Sequence, residues 1–509
     1  MILHSRRTSR YRKTILALTR PNFQAVDFET GEVFESSHVL FECIGGLVVF
    51  NDLSESLDDL VFELARHGSI ELYGSEHTAA YWHYGGGVRF AGLNSYNHKC
   101  ASLSDLVSFW KAITDICEAV HTVPCPTASE TAIQIAQAMS PEMFVSPSRP
   151  IQEWCRNAYS AGAAHFRVGD YGDTFLYDIR SAYPFAMSQP LPFGRWCIGD
   201  SRMDFFVARV TFDYDSDLEF SPLWIRGADT KVYHPTQARN VTAILNSIDL
   251  ETLRQHGSLN ILESHDCIGF ETIDLLSPSI NYLSACQAQL PQYAQPIKKL
   301  KNSIYGKMCQ RSDQERFILK YTADDDPDDL AEKGIYKEYN GYEYCLTNHQ
   351  TESRSFSHII VAGAITSLIR QKLYNAIDED SIACQTDSIL STRRRLDLTR
   401  GVDPSQVGSW YLKEKTKSSR VYGRKGFIFG DTPHMSGVQR IKIDGRGRVK
   451  AYTSGKGKFD FGAATEGGSW AVKKESPYST LASGPEIQLC KRGRVIETIP
   501  IPETKNYGD

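Results

Sequence analysis

Two aspartates near the ends of short apolar segments have the side chains and spacing best suited to chemistry. Asp178 follows an apolar run at residues 175–177, and Asp387 lies in a second apolar segment, residues 382–389. Two carboxylates can hold a pair of magnesium ions about 3.5–4 Å apart, an arrangement that supports in-line displacement at phosphorus. Between them in the chain, residues 298–306 carry lysine, asparagine and tyrosine, which could grip a triphosphate. The combination predicts a nucleotidyl transferase.

Strands and a helix must position these side chains. We predict a strand for each apolar segment, with its carboxylate at the tip. Lys298, Asn302 and Tyr305 recur at i, i+4 and i+7, so a helix would present them on one face, and Pro296 suits its first turn. A lysine-rich helix is more often simply exposed, but its place between two strand-end aspartates favours a site.

The pattern along the chain predicts an α+β protein with an antiparallel sheet at the catalytic centre. Residues 355–378 are typical of a buried helix that leads into the second carboxylate strand, and residues 205–213 alternate like a half-buried strand. Residues 122–150 contain five prolines and are typical of a joint between domains.

Length and composition indicate a soluble globular protein. The 509 residues are enough for about two to four domains. The sequence contains no apolar run long enough for a membrane span and no apolar signal core after its basic start. The twelve cysteines include no Cys-x-x-Cys pair, which argues against a zinc site and a disulfide framework. We expect a reducing, cytoplasmic setting.

Charge is distributed unevenly around a net value of −5. Residues 411–460 contain thirteen Lys and Arg against four Asp and Glu, with aromatic residues interleaved. This mixture suits a surface that follows a nucleic-acid backbone. A solvated basic face is an equally good interpretation of the window by itself.

Three segments in this order resemble motifs A, B and C of family B DNA polymerases, and the match is closest to the protein-primed branch. Motif A, Asp-x-x-Ser-Leu-Tyr-Pro, is matched by residues 178–184 apart from Ala182. Motif B, Lys-x-x-x-Asn-Ser-x-Tyr-Gly, is matched in full by residues 298–306. Motif C, Asp-Thr-Asp-Ser, corresponds to residues 385–388, which begin with Gln385. Three ordered motifs are a far stronger signal than one.

The resemblance implies a right-hand polymerase of palm, fingers and thumb with an N-terminal exonuclease-like domain. The expected boundaries are 1–150 for a reduced exonuclease-like domain, 151–205 for palm with motif A, 206–275 for an insert resembling the first terminal-protein region, 276–310 for fingers with motif B, 311–350 for a second such insert, 351–415 for palm with motif C and 416–509 for thumb.

The resemblance also implies partners, cofactors and residue roles. The partners would be primer–template DNA, deoxynucleotides and a terminal priming protein, and two Mg²⁺ ions, replaceable by Mn²⁺, would be held by Asp178 and Asp387. Nucleotide contacts would come from Ser181, Tyr183, Lys298, Asn302 and Tyr305. DNA contacts would come from Tyr159, Gly162, Ser303, Gly306, Thr386, Lys425 and Phe427.

The sequence departs from the family pattern in three respects within the polymerase motifs. Gln385 replaces an aspartate and removes one negative charge, so manganese should support activity better than magnesium. No Lys or Arg occurs between Arg254 and Lys298, where the fingers normally carry a second basic residue. Ala182 and Phe427 are milder losses of volume and of one hydroxyl.

Near the N-terminus, Asp27 and Glu29 resemble the first exonuclease motif, Asp-x-Glu, but the second and third motifs are absent from the sequence. We therefore expect a shrunken domain without active proofreading that still guides DNA. The leading hypothesis is protein-primed replication of a linear viral or plasmid genome. The alternatives are a polymerase-fold DNA-binding protein with weak or lost catalysis and a nucleotidyl transferase that starts without a protein primer.

Overall fold

The computed structural model describes the following segments of the chain: residues 13–18, 23–36, 39–43, 45–51, 69–73, 78–83, 86–140, 147–226, 232–310, 313–314, 316–319, 335–339, 342–346, 351–352, 358–423, 426–430, 432–435, 440–443, 449–456, 473–483, 486–491 and 494–500. The chain divides into two compact units. The first comprises Met1–Met143, Pro278–Ser357 and Lys456–Lys473, and the second comprises Phe144–Ser277, His358–Gly455 and Lys474–Asp509.

The first unit contains an eight-stranded mixed sheet. Leu47–Phe50 pairs in parallel with both of its neighbours, and the other pairings are antiparallel. The strand order is Arg316–Leu319, Ser69–Tyr73, Thr78–His83, Gly86–Gly92, Leu47–Phe50, Thr14–Leu18, Gln24–Asp27 and Val33–Phe34. A strand from the predicted second insert thus extends the N-terminal sheet at one edge.

Helices complete the first unit. They are Val39–Glu42, Leu103–Glu118, Ala128–Met139 and Ala294–Met308, with 3-10 turns at Leu93–Tyr96 and Pro291–Tyr293, and Ser277–Gln289 begins at its boundary. Ile335–Tyr339 and Tyr342–Leu346 form a hairpin, and Asp313–Gln314 pairs antiparallel with Thr351–Glu352.

The proline-containing segment 122–150 is more ordered than a simple joint. Thr127 caps the helix Ala128–Met139 by accepting a hydrogen bond from the Glu130 amide, and Ala132 and Ile135 are fully buried. The helix packs against Ala294–Met308. The boundary between the two units follows at Met143, within the predicted segment.

The second unit is built on a five-stranded sheet that is antiparallel throughout, as predicted for the catalytic centre. The strand order is Trp410–Thr416, Thr174–Ile179, Ser388–Ser391, Ser381–Gln385 and Ala164–Phe166. Leu176, Ile382 and Leu390 from this sheet form a core with Val421 and Phe429. The motif A and motif C segments are therefore anchored by apolar side chains next to their carboxylates.

The predicted helix before motif C is confirmed as Ile359–Tyr374, which is buried along nearly its whole length. Shorter helices in this unit are Arg149–Arg156, Ala182–Met187, Ser247–Gln255 and Leu396–Thr399. The predicted strand at residues 205–213 is Phe205–Ser216, although it is more buried than alternation suggested. It lies in a four-stranded antiparallel sheet ordered Leu191–Ile198, Gly257–Ile273, Phe205–Ser216 and Gln237–Asn246.

The remaining described strands form two further sheets and one short antiparallel pair. One sheet has the order Thr432–Met435, Gly426–Phe429, Ser419–Gly423 and Gly169–Tyr171, and another has Arg440–Ile443, Val449–Lys456, Lys473–Ser483, Glu486–Lys491 and Arg494–Pro500. Ile225–Arg226 pairs with Val232–Tyr233. Of the helices in the described segments, none is long and apolar enough to cross a membrane.

Candidate active site

The structure brings Asp178, on a strand, next to Asp387, in the turn that leads into the neighbouring strand. Asp178 is paired with Ser388 across the antiparallel strands Thr174–Ile179 and Ser388–Ser391. The next amide, that of Ile179, donates a hydrogen bond to the Asp387 carbonyl at 2.9 Å. The two aspartates are therefore close in space although they are 209 positions apart in the chain.

Asp387 lies in a tight turn that backbone hydrogen bonds hold. Thr386 has a left-handed backbone with φ 58°, an unfavourable conformation for a β-branched residue. Its amide donates to the Ala163 carbonyl at 2.7 Å. The Gln385 carbonyl accepts from the Asp387 amide at 2.6 Å and from Ser388 Oγ at 3.1 Å. Because Gln385 supports the turn through its backbone, the missing aspartate leaves this geometry intact.

Gly162 packs directly against this turn. A Cβ atom at residue 162 would lie 2.6 Å from Thr386 Cγ2 and 2.9 Å from Thr386 Cα. Only glycine permits an approach this close. The resemblance assigned both residues to DNA contacts, and the structure gives Gly162 a packing role at the turn that carries Asp387.

A buried ion pair holds the loop that contains Gly162. Arg370 is 2% exposed and donates to both carboxylate oxygens of Asp249, at 2.8 and 2.9 Å. Its other terminal nitrogen donates to the carbonyls of Ser160 and Ala161 at 2.6 and 2.9 Å. The pair connects the helix Ser247–Gln255, the helix Ile359–Tyr374 and the loop that contains Gly162. Sequence reasoning missed the role of Arg370. The available sign was a single arginine within a predicted apolar, buried helix.

Lys413 forms an ion pair with Asp178. Its Nζ donates to Asp178 Oδ2 at 2.7 Å. Burial would lower the pKa of Lys413, but the hydrogen bond to Asp178 and the charges of Asp178 and Asp387 outweigh it and raise that pKa. Sequence reasoning placed Lys413 only within a basic window.

Tyr411 and Arg180 lie beside this pair. The Arg180 guanidinium carbon is 4.1 Å from the centre of the Tyr411 ring, close enough for a cation–π contact. Burial and the charge of Asp178 raise the pKa of Tyr411. Arg180 also donates from Nε to the Pro404 carbonyl at 2.9 Å. These contacts fix the chain next to Asp178.

The rest of motif A forms a turn and the start of a helix. Ser181 has a left-handed backbone with φ 51° and precedes the helix Ala182–Met187, on which Tyr183 is half-buried. Ala182 is 3% exposed, so the substitution of the family leucine falls in the interior. This helix packs against Ile359–Tyr374.

The motif B helix, Ala294–Met308, belongs to the first unit. Its buried face includes Ile297, Leu300 and Ile304. Of the predicted site residues, Lys298 and Gly306 are exposed, and Asn302, Ser303 and Tyr305 are half-buried. The predicted lysine–amide–phenol face thus lies opposite the packed face.

The lysines of this helix differ in environment. Lys301 is buried, and its Nζ donates to Ser284 Oγ at 3.1 Å. Burial and the charge of Lys298 lower the pKa of Lys301. Lys298 and Lys299 are exposed. Lys301 therefore supports helix packing, whereas Lys298 can reach a ligand.

The structure places Asp27 and Glu29 in a β-hairpin between Gln24–Asp27 and Val33–Phe34. Asp27 Oδ1 accepts from the amides of Glu29 and Thr30 at 3.0 and 3.1 Å, and Oδ2 lies 3.0 Å from Lys13 Nζ. Glu29 Oε2 accepts from the Thr14 amide at 3.0 Å. Both carboxylates therefore hold backbone within their own sheet.

These contacts move the two pKa values apart. Burial would raise the pKa of Asp27, but Lys13 and the two amides outweigh it and lower that pKa. Burial and the neighbouring Asp27 raise the pKa of Glu29.

The remaining predicted DNA contacts are scattered or lie beyond the described residues. The Tyr159 carbonyl accepts from Arg226 at 2.9 Å. Phe427 lies in the strand Gly426–Phe429, and Lys425 is outside the described residues. Within the described segments, no cluster of three or more His, Cys, Asp or Glu side chains is arranged to hold a metal ion.

Comparisons with known proteins identify the family. The family described as DNA polymerase type B, organellar and viral, matches residues 96–390. No curated protein matches the chain in sequence. Among solved structures, Phi29 DNA polymerase in a ternary complex with primer–template DNA and incoming nucleotide substrates aligns with a TM-score of 0.65 at 14% identity, covering 84% of this chain and 92% of that chain.

Two other structures of that polymerase are also similar. Its orthorhombic crystal form gives a TM-score of 0.59 at 14% identity, covering 83% of this chain and 89% of that chain. Its post-translocation complex with primer–template DNA gives 0.58 at 14% identity, covering 86% and 89%. The α+β polymerase fold predicted from three motifs is thereby confirmed. This chain belongs to the family of organellar and viral type B DNA polymerases.

Proposed function

We propose that this chain is a DNA-directed DNA polymerase that extends a primer by templated nucleotidyl transfer. The observation that carries the proposal is the placement of Asp178 and Asp387 side by side, with the Ile179 amide bonded to the Asp387 carbonyl at 2.9 Å. The family match and the likeness to a polymerase solved with primer–template DNA and nucleotides support the same partners for this chain.

Two divalent ions, Mg²⁺ or Mn²⁺, are the cofactors that we propose. Asp178 and Asp387 supply the carboxylate oxygens that Mg²⁺ prefers, and bound phosphates can complete such a site. Asp178 already attracts a cationic group, since the Lys413 ammonium lies 2.7 Å from its Oδ2. The residues present fit a divalent ion, which when bound would activate the attacking hydroxyl and neutralise charge on the departing phosphates.

The chain's own residues would bind and orient the reactants. Lys298, on the open face of its helix, would contact the triphosphate, and Asn302 and Tyr305 would pack against the nascent base pair. Tyr183 would lie under the incoming sugar and exclude a 2′-hydroxyl. The primer 3′-hydroxyl attacks, and pyrophosphate leaves. Gains in rate would come from positioning and charge stabilisation.

Protein priming is the mode of initiation that we propose, as part of the replication of a linear viral or plasmid genome. The full match of residues 298–306 to the motif B of the protein-primed branch supports it. The insert at 206–275, which folds as a sheet with the helix Ser247–Gln255, is the proposed contact surface for a terminal protein.

Single-nucleotide extension of a primed DNA template, with Mg²⁺ and Mn²⁺ in parallel, tests the proposal. The parent protein should extend the primer, more strongly with Mn²⁺, and Asp387→Asn should not. Asp173→Asn is the matched control, because Asp173 is exposed in the bend immediately before the strand that carries Asp178. Extension that survives in Asp387→Asn would contradict the proposal.

A polymerase-fold protein that binds DNA without turnover is the second candidate, favoured by the neutral Gln385 and by Lys413 at Asp178. Template binding, measured by fluorescence anisotropy, separates the two. Tight binding without extension under either metal, with and without added priming protein, would establish the binding function.

A further inference from the structure

Lys413 owes its position to a β-bulge. The edge strand Trp410–Thr416 pairs with Thr174–Ile179 so that Tyr177 faces Leu412 and Leu176 faces Glu414, which leaves Lys413 as the extra residue. In an unbroken ladder Lys413 would stand opposite Leu176. Bulges at sheet edges redirect side chains and are common beside active sites. Here the bulge accompanies the 2.7 Å contact between Lys413 Nζ and Asp178 Oδ2.

The side chain is also free to serve more than one partner. Lys413 is 45% exposed, whereas Asp178 is 14% exposed. Its ammonium carries three donors on a flexible stem. Because Lys413 is open to solvent, its ion pair with Asp178 contributes only modestly to stability. Lys413 can therefore leave Asp178 for another anionic group at a small cost in free energy.

The segment leading into motif B carries few positive charges, so a further lysine would help to bind a triphosphate. Residues 255–297 contain no Lys or Arg. In the motif B helix, Lys301 is buried against Ser284, which leaves Lys298 as the motif lysine on the open face. A triphosphate bears several negative charges, and one lysine balances few of them.

We propose that Lys413 is a phosphate-binding residue beside Asp178 and that it competes with the divalent ion for Asp178. Without metal or nucleotide, Lys413 neutralises Asp178. When a divalent ion takes Asp178, mutual repulsion drives Lys413 away, and its ammonium binds the phosphates of the incoming nucleotide. The inference rests on the proposed function, because it assumes that this centre binds metal and nucleotide.

If Lys413 both competes with the metal ion and binds phosphate, its removal should raise the affinity for Mn²⁺ and lower the affinity for the nucleotide. Lys413→Met keeps the length of the stem and removes the charge. Mn²⁺ should bind the nucleotide-free variant about tenfold more tightly than the parent, since loss of one charged hydrogen bond is worth about one decade. A fluorescent deoxyadenosine triphosphate with saturating Mn²⁺ should bind about tenfold more weakly.

Lys415→Met is the matched control, because Lys415 is exposed two residues further along the same strand and its loss changes net charge equally. Electron paramagnetic resonance of Mn²⁺ and equilibrium fluorescence titration of the nucleotide measure the two affinities without turnover. Lys415→Met should leave both close to those of the parent.

The outcomes separate this inference from the proposed function. The inference is supported if Lys413→Met, but not Lys415→Met, binds Mn²⁺ more tightly and the nucleotide more weakly than the parent does. This holds even if the parent extends no primer. Mn²⁺ affinity that stays unchanged or falls in Lys413→Met overturns it, as does nucleotide affinity equal to that of Lys415→Met. Primer extension by the parent would in that case still support the polymerase.

Discussion

Two regions of this molecule each place two acidic residues near a lysine, yet the carboxylates have different environments. In the second unit, Asp178 lies on a strand beside Asp387 and contacts Lys413 at 2.7 Å. In the first unit, Asp27 contacts Lys13 at 3.0 Å and also accepts two backbone amides of its own hairpin.

The difference lies in what holds the carboxylate oxygens. A lysine side chain can swing away, whereas the amides of Glu29 and Thr30 are fixed by the turn that Asp27 caps. A carboxylate engaged by its own backbone is stabilised as an anion but offers fewer lone pairs to a metal ion. We infer that Asp178 is available for a ligand and that Asp27 maintains a hairpin.

The largest expected effect comes from exchanging one aspartate in each region for asparagine. Asp178→Asn should slow single-nucleotide incorporation by about a thousandfold or more, because metal placement supplies several kcal/mol of transition-state stabilisation. Asp27→Asn should change it by less than about threefold, a difference below 1 kcal/mol. Rapid-quench incorporation measures both rates. A large loss in Asp27→Asn, or none in Asp178→Asn, would break the contrast.

The second prediction concerns the buried pair of Arg370 and Asp249, which lies next to the candidate site. Arg370→Met leaves Asp249 charged and unpaired in the interior, so the free energy of unfolding should fall by about 3–5 kcal/mol. Arg370→Met with Asp249→Leu should recover part of that loss, because a buried ion pair can be replaced by packed apolar side chains. The recovery stays partial because Trp224, Asn246 and Ser367 lose Asp249 as an acceptor. Urea denaturation followed by circular dichroism measures both.

Activity should not recover with stability in this double variant. The carbonyls of Ser160 and Ala161 still lack their donor, so the loop beneath Thr386 loses its support. Incorporation should remain about tenfold slow, which corresponds to about one lost hydrogen bond. Full recovery of the rate would show that the pair contributes stability alone.

The third prediction compares a glycine from each region. Gly162→Ala places a methyl group against Thr386, so we expect a loss of about 1–3 kcal/mol and slower incorporation as the Asp387 turn shifts. Gly31→Ala meets no atom within 4 Å but adopts φ 75°, so it should cost about 1–2 kcal/mol of stability and leave incorporation unchanged. Thermal melts and incorporation rates of both variants are the measurements. Equal loss of activity would contradict the close approach at Gly162.

The sequence predicts features that depend on neighbouring residues better than contacts between residues far apart in the chain. The strand ends at Asp178 and Asp387 and the face of Lys298 and Tyr305 depend on local periodicity, which the sequence shows directly. The contact between Lys413 and Asp178 joins residues 235 positions apart, and that between Arg370 and Asp249 joins residues 121 apart. Such contacts depend on strand order and helix packing, which periodicity does not determine.

Local patterns were also ambiguous where two structures share one signal. An Asp-x-Glu pair followed by Gly31 suits a metal-binding motif, but it equally suits a hairpin turn in which the aspartate caps backbone amides. The structure adopts the turn, and the Gly31 amide donates to the Asp27 carbonyl at 2.8 Å. The prolines of residues 122–150 suggested a joint, yet Thr127 supplied a helix cap that the interpretation had not used.

The smallest effect should be a pH-dependent stability contribution from Asp27. Its pKa is lower in the folded state, so its contribution is present above the unfolded value of about 3.9 and is lost as pH falls through the folded value. Glu29 acts in the opposite sense: its raised pKa means that its contribution is lost as pH rises through the folded value. Removing the Asp27 charge relieves part of that opposing effect.

Asp27→Asn should therefore be about 1 kcal/mol less stable than the parent at pH 7, the worth of about one hydrogen bond to a charged group after this relief. The gap should shrink below about pH 4, where the unfolded chain begins to take up a proton at Asp27, and it should close as pH falls through the lower pKa of folded Asp27. Melting temperatures of both proteins between pH 7 and pH 3 provide the measurement, with Asp173→Asn as an exposed control. A gap that widens on acidification would mean that the Asp27 charge is not stabilised by its hairpin, and the two acidic regions would then be alike.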